Sequence, residues 1–250
     1  MFMASRLPVS IRITYRPYKK KECFLEDFEG RKLKTLLPHS GGREFVGLSR
    51  GYLVFFGRKT CDFWLVNPIT RHELHFPAHP FSRYFRPTRL KVILVFSPWV
   101  VSEWVLVVSA RYSHSIWFSV SGSGSWIRSN TSSQIYDLHF FKEKIYVLTR
   151  SCFYEFELYP MPEFILLQTK NLPRLYLTGE FVSTAANLYL MHCPSSDSVL
   201  VQLDFDDRKW VSCEKIEEYA AVKLGMWADI RSKWYLLHDC LNVNLIHNEP

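Results

Sequence analysis

The residues whose types and spacing best fit chemistry lie between Gly47 and His75. Gly47-x-Ser49-x-Gly51 has the spacing of a hydrolase nucleophile, where the serine sits on a sharp strand-to-helix turn beside an oxyanion hole. Here the serine is followed by Tyr52-Leu53-Val54-Phe55-Phe56, aromatic and aliphatic strand formers rather than a helix. The two glycines therefore read as a tight entry into a strand, and a serine hydrolase built on Ser49 stands only as the alternative reading. His72-Glu73-Leu74-His75 offers two metal-ligating side chains, but a helical zinc site needs its histidines at i and i+4. On a strand, histidines at i and i+3 face opposite ways, which predicts exposed strand histidines. Gly122-Ser123-Gly124-Ser125 lacks the Gly-Lys-Ser/Thr ending and the following helix of a phosphate loop. With Trp126 opening a strand after it, it reads as a hairpin turn. These patterns assign no catalytic residue, no metal ligand and no cofactor.

Binding has better candidates. Arg83, Arg86, Arg89 and Lys91 surround Tyr84 and Phe85 in a stretch punctuated by Pro80 and Pro87, and Trp99 follows Ser97-Pro98. Basic and aromatic side chains on a loop are the composition of a protein-binding hot spot. The predicted contact set is Arg83, Tyr84, Phe85, Arg86, Arg89 and Trp99. Trp64, Trp104, Trp117 and Trp126 lie in or beside apolar runs, where core packing is the default for indoles.

The elements that must position these residues are strands. Of 250 residues, 48% are hydrophobic, 16% aromatic and 22% charged, enough for a substantial core and too apolar for a disordered chain. The formal net charge of +7 is spread out, with no Lys/Arg block longer than Lys19-Lys20-Lys21. It describes a solvated basic surface, and nucleic-acid binding is a second alternative. Cys23, Cys61, Cys152, Cys193, Cys213 and Cys240 form no C-x-x-C pair, and they read as reduced thiols of a cytoplasmic or nuclear protein. The first 21 residues hold six basic residues and no acidic one, the flavour of an organellar transit peptide. The alternation of Val9, Ile11, Ile13 and Tyr15 with polar residues favours a strand instead. No apolar run approaches the roughly 18 residues needed to span a membrane.

Short apolar runs recur to the C-terminus: Tyr52 to Phe56, Phe63 to Val66, Val92 to Phe96, Trp104 to Ser109, Ser115 to Val120, Ile135 to Phe141, Lys144 to Thr149 and Cys152 to Leu158. After a Pro-bearing stretch from Pro160 to Pro173 come Arg174 to Leu177, Asn187 to His192, Val199 to Phe205, Ala221 to Trp227, Lys233 to His238 and Leu241 to Ile246. The one helical turn expected is Ser212 to Ala221. This is the pattern of an all-β protein. A degenerate repeat then selects among all-β folds. The segments around Asn67-Pro68-Ile69-Thr70, around Ser121 to Ser125, and around Asp204 to Asp207 each join an apolar strand to a second strand through a tight polar turn. Another strand pair precedes each such hairpin. Four strands per unit, at a spacing of roughly 40 to 50 residues, is how a β-propeller blade reads. About five blades fit, the N-terminal one incomplete. Residues 1–39 are expected to supply N-terminal strands to the closing blade, and residues 40–247 to form the propeller proper.

Several segments, in order, resemble the plant F-box-associated KIB-type β-propeller family. Gly47-Leu48-Ser49-Arg50-Gly51-Tyr52-Leu53 is similar to the family's Gly-Ser-Ser-x-Gly-Trp-Leu, and Leu65-Val66-Asn67-Pro68-Ile69-Thr70 to its Leu-x-Asn-Pro-Ile/Phe-Thr/Ser hallmark. Lys91 to Leu94 with Ser97-Pro98 resembles its next strand. Asp137 to Leu148 resembles its Asp-x-x-Phe-x-x-Gly-Lys-x-Tyr-Ala-Leu, with Glu143 in place of the glycine, and Val201 to Val211 its late Leu-Asp…Trp segment. The resemblance spans about residues 40 to 247. It implies a non-catalytic protein-interaction module, the substrate-recognising part of a ubiquitin-ligase adapter, with a protein target as partner. The ligase's linker subunit would be a partner only of a form carrying an F-box, and no F-box pattern is visible in this sequence.

Overall fold

A computed structural model describes residues 9–13, 19–27, 31–80, 90–97, 103–173, 179–184, 186–192, 199–213, 232–235 and 243–246. Their regular structure is all β-strand: β1 Val9–Ile13, β2 Lys21–Asp27, β3 Lys32–Leu37, β4 Arg43–Ser49, β5 Tyr52–Gly57, β6 Phe63–Val66, β7 Glu73–Phe76, β8 Leu90–Ser97, β9 Glu103–Ala110, β10 Ser115–Val120, β11 Ile127–Asn130, β12 Ile135–Phe141, β13 Lys144–Thr149, β14 Phe153–Glu157, β15 Glu163–Leu166, β16 Gly179–Ser183, β17 Leu188–His192, β18 Val199–Asp204, β19 Lys209–Ser212, β20 Ser232–Tyr235 and β21 Val243–Ile246. They form four successive four-stranded sheets, β4 to β7, β8 to β11, β12 to β15 and β16 to β19, each in simple chain order. A fifth sheet has the order β20-β21-β1-β2-β3 and joins strands from the two ends of the chain. Repetition of four-stranded meanders is the β-propeller pattern that the sequence predicts.

The chain divides into two compact units: Met1–Val107 with Phe118–Trp126 and Val222–Pro250, and Val108–Trp117 with Ile127–Ala221. In the first unit β1 runs parallel to β21, with Val9 opposite Val243, and antiparallel to β2. Ile13, Cys23, Leu25 and Leu37 of this sheet bury against Leu53, Phe55, Trp64 and Val66 of β5 and β6. Strands β5 and β6 are buried along their whole length, so their sequences are unbroken apolar runs instead of alternating ones. In the second unit Tyr136, Tyr146, Leu148 and Phe153 of β12 to β14 pack on Phe181, Leu188, Leu190, Val201, Leu203 and Trp210 of β16 to β19. Each fully buried large side chain contributes roughly 1.5–3 kcal/mol of transfer free energy.

Turn chemistry repeats with the strands. Arg50-Gly51 joins β4 to β5 with φ of 47° and 75°, and Lys142-Glu143 joins β12 to β13 with φ of 46° and 60°. Two consecutive positive φ values define the two-residue turn whose twist matches that of the strands it joins. The hallmark Asn67 also has a mechanical role. Its Oδ1 accepts hydrogen bonds from Ile69 N and Thr70 N, both 3.0 Å, and Arg71 closes the loop at φ 61°. Asp204 does the same: its Oδ1 accepts from Asp206 N and Asp207 N at 3.1 and 3.0 Å, and Arg208 takes φ 49°. These are side-chain mimics of a turn.

Neighbouring sheets are tied through polar side chains. Ser49 Oγ accepts a hydrogen bond from Leu94 N of β8 at 2.9 Å. Asp137 Oδ2 accepts one from Phe181 N of β16 at 2.7 Å. Inside sheet β4 to β7, buried Asp62 takes a bidentate pair from Arg43 (2.5 and 2.6 Å), a hydrogen bond from Thr60, and His75 Nε2 at 2.7 Å. Burial favours the neutral acid, but the hydrogen bonds and charge of these partners outweigh it and hold the carboxyl below its usual range.

Some elements differ from expectation. Strands β2 and β3 run through charged sequence whose inner face mixes apolar Cys23, Leu25, Leu33 and Leu37 with buried Lys21 and Thr35. Strand β15 lies inside the Pro-bearing stretch 160–173. Ser212 ends β19, and the rest of the expected helical turn beyond Cys213 lies outside the described residues, as do the expected strands at 174–177 and 221–227. The Val9–Ile13 alternation forms a strand.

Gly57 is required by close approach: a Cβ there would land on Thr60 Oγ1, 2.5 Å from Asp62 Oδ1 and 2.9 Å from Arg43 Nη1. Gly57→Ala is expected to lower stability by about 1–3 kcal/mol in urea unfolding. Glu143→Gly relieves a left-handed non-glycine residue and is expected to raise stability by up to about 1 kcal/mol in the same measurement.

Candidate functional site

The predicted contact set Arg83, Tyr84, Phe85, Arg86, Arg89 and Trp99 lies outside the described residues. The stems on either side are described. Strand β7 delivers the chain to Pro77–Pro80, where His79 is buried. The backbone N of His79 donates to Cys61 O at 2.6 Å. Its ring meets Trp126 edge-on with centroids 4.4 Å apart, and Phe63 at 6.1 Å. The Trp126 indole N–H in turn donates to Pro77 O at 3.0 Å. The chain entering residues 81–89 is therefore clamped between a hairpin and an indole. The exit is β8, whose Leu90, Ile93 and Leu94 are buried and whose Leu94 N–H is held by Ser49. Rigid stems flanking a basic, aromatic stretch are how a scaffold presents a binding segment.

Residues 83–89 precede β8 and Trp99 follows it. The strand from Leu90 to Ser97 separates the two attachment points by about 23 Å at the usual rise per residue. The predicted set thus attaches to opposite ends of one strand. At the Ser97 end stands an aromatic row that sequence reading assigns to the core or passes over. Phe96 is at the surface and packs on Trp104 (5.1 Å), Trp104 on Tyr52 (5.6 Å), and the Tyr52 hydroxyl lies 2.7 Å from His72 Nδ1. Burial raises the Tyr52 phenol above its ordinary value, so it stays neutral. The signal for this row was present as Phe96 and Trp104 flanking Pro98, but their partial exposure is a tertiary fact.

The chemical alternatives fare differently. Ser49 ends β4 and is followed by a two-residue turn into β5, so no strand-to-helix elbow exists there, and its hydroxyl is an acceptor for Leu94. His72 lies before β7 and His75 within it. Both are exposed and on different partners, Tyr52 and Asp62. Among the described residues no group of three His, Cys, Asp or Glu side chains is placed to hold a metal. Gly122 and Gly124 take φ of 82° and 71° in the β10–β11 connection, as a turn requires, and β11 begins one residue after Trp126. Trp64 is core, and its N–H donates to Glu73.

Burial lowers the His79 pKa to about 3, so the ring is neutral in the folded protein. The unfolded chain takes up a proton near pH 6.5 that the folded chain refuses, so stability is full above that pH and falls as pH drops toward 3. Urea midpoints are expected to decline from about pH 6.5 downward, by at most about 1.4 kcal/mol per pH unit from this group. His79→Gln should flatten that decline, leaving the acid loss below about pH 4 that belongs to Asp62.

The fold and these sites can be set beside known proteins. No curated protein matches the sequence. Solved structures superpose on the chain at low identity. A protein of unknown function from Bacteroides caccae superposes with TM-score 0.51 at 12% identity, over 95% of this chain and 86% of that one. A second, from Bacteroides thetaiotaomicron, gives 0.43 at 10%, over 90% of this chain, which spans only 61% of its length. YCF48 from Cyanidioschyzon merolae gives 0.46 at 10%, over 91% and 76%. At 12% identity the likeness to the Bacteroides caccae protein concerns the fold alone. The sequence model of the KIB1-4 beta-propeller family matches residues 24–232, which hold the Asn67 turn, the tied stems and the paired sheets described above. The chain belongs to the KIB1-4 β-propeller family.

Proposed function

We propose that this chain is a non-catalytic protein-interaction module that recognises a target protein through the Arg83–Arg89 segment, with Trp99 contributing at the far end of β8. The observation that carries the reading is the pair of fixed stems around that segment: buried His79 on one side and the Leu90–Leu94 run on the other. Fixed stems hold the two ends of the segment in place, and Arg and Tyr are among the residue types that dominate interface energetics. The family supports protein recognition as the general role. The finer reading is the target-binding part of an F-box ubiquitin-ligase adapter, working in the cytoplasm or nucleus, in which an F-box would engage the ligase's linker subunit and the propeller would present the target. No cofactor enters this mechanism.

Affinity capture from native tissue with the tagged chain, compared with a variant carrying Arg83→Ala, Tyr84→Ala and Arg86→Ala, tests the assignment. One protein partner is expected with the wild type and at least about thirtyfold weaker binding by the variant, the loss of a 2 kcal/mol hot spot. Equal recovery by both refutes the loop. The adapter role predicts that a form carrying an F-box co-purifies with the ligase's linker subunit while this propeller alone does not.

A further inference from the structure

Exposed large apolar side chains among the described residues gather on the β14–β15 hairpin: Tyr159 (57% exposed), Met161 (75%), Leu166 (50%) and Ile165 (36%). Strand β15 is the terminal strand of its sheet. Its register pairs Tyr154 with Leu166, Glu155 with Ile165, Phe156 with Phe164 and Glu157 with Glu163. One step further, Leu167 N donates to Phe153 O at 2.9 Å. Hydrogen-bonded and non-bonded pairs alternate along an antiparallel ladder. Ile165 and Glu163 therefore bond inward to β14, and Phe164 and Leu166 turn their N–H and C=O groups toward the free edge.

The edge of β19 supplies the contrast. There Lys170 lies alongside, its N donating to Arg208 O and its O accepting from Trp210 N. No such segment lies along β15 among the described residues. Charge adds direction. Glu157 and Glu163 face each other across the hairpin, a destabilising like-charge pair, and have no hydrogen bond or ion pair among the described residues. Glu155, on the same face, is already paired with Lys144 at 2.7 Å.

We propose that the free edge of β15 receives an extended segment of a partner protein as an added strand, in which basic residues alternate with apolar ones. The backbone of Phe164 and Leu166 supplies the ladder. Alternate side chains of the added strand then fall on the two faces of the sheet: Lys or Arg beside Glu163 and Glu157, and apolar residues beside Leu166 and Phe164. A second copy of this chain is the poorer occupant, because pairing β15 with itself would bring four carboxylates together. The surface is distinct from residues 83–99, and the proposal rests on no property of that loop.

The probe is a short capped peptide of alternating Lys and Val, fluorescently labelled and titrated with the purified full chain. Saturable binding in the micromolar range is expected, weakened about tenfold or more by Glu157→Lys with Glu163→Lys and by Leu166→Lys. The Arg83→Ala, Tyr84→Ala, Arg86→Ala variant should bind this peptide as the wild type does, which separates the two surfaces. Backbone N-methylation of alternate peptide residues should abolish binding while leaving the protein unaltered, so the test survives a variant that fails to fold. Absence of saturable binding, equal binding of a Glu/Val peptide, insensitivity to N-methylation, or insensitivity to the Glu157 and Glu163 changes in folded protein would each overturn the proposal. So would a concentration-dependent dimer abolished by Leu166→Lys, which would give the edge to a second copy.

Discussion

A strand at the end of its sheet has N–H groups with no ladder to enter, and if that strand is buried those groups must find acceptors elsewhere. Strands β8 and β16 are in this position: Leu94 and Phe181 are buried, and each strand begins its own sheet. In both cases the acceptor is a side chain on the first strand of the preceding sheet, Ser49 for Leu94 and Asp137 for Phe181, 45 and 44 residues apart. Losing either acceptor would leave a buried donor unsatisfied, a cost of about 1–3 kcal/mol. Here the repeat of the chain becomes a physical quantity. The interval is the length of one four-stranded meander, and the tie holds successive first strands in register. Ser49, which resembles a nucleophile when read along the chain, turns out to be one of these ties.

The same need for satisfied polar groups governs the outer hairpins. Asn67 and Asp204 substitute their side chains for backbone acceptors at the tips of β6–β7 and β18–β19. Trp126 and Trp210 send their indole N–H groups back to residues just after the outer strand of the preceding sheet, Pro77 and Thr169. The correspondence of these two tryptophans is visible in the sequence as aromatic residues after polar turns. What they hold is visible only in three dimensions.

Legibility followed burial and local geometry. The central strands β5 and β6, and β13 beyond Lys144, are near-continuous apolar runs and read directly from sequence, because both of their faces are covered; β12 and β18 read from their apolar residues despite Asp137, His139, Gln202 and Asp204. The outer strands β11 and β15 are largely exposed, and β2 and β3 are charged on one face, so their composition resembles that of loops. The ladder hydrogen bonds that make them strands come from neighbours and leave no mark on residue type. The candidate site divides in the same way. A basic, aromatic stretch stands out by composition alone, whereas the clamp that fixes its entry depends on His79 lying buried against Phe63 and Trp126, the latter 47 positions away along the chain.

By itself the sequence determined the class of fold, the central strands, the turns that need glycine, asparagine or aspartate, and the family, because each is set by local backbone preference or by apolar runs that persist wherever a strand is buried. Only the tertiary structure decided that Ser49 is a structural acceptor, that His79 is a buried neutral anchor, that the predicted contact residues attach to opposite ends of β8, and that β15 has no strand along its outer edge among the described residues. Each of these depends on which distant backbone group or side chain comes to lie beside a given residue, and long-range adjacency is what a linear pattern of residue types does not encode.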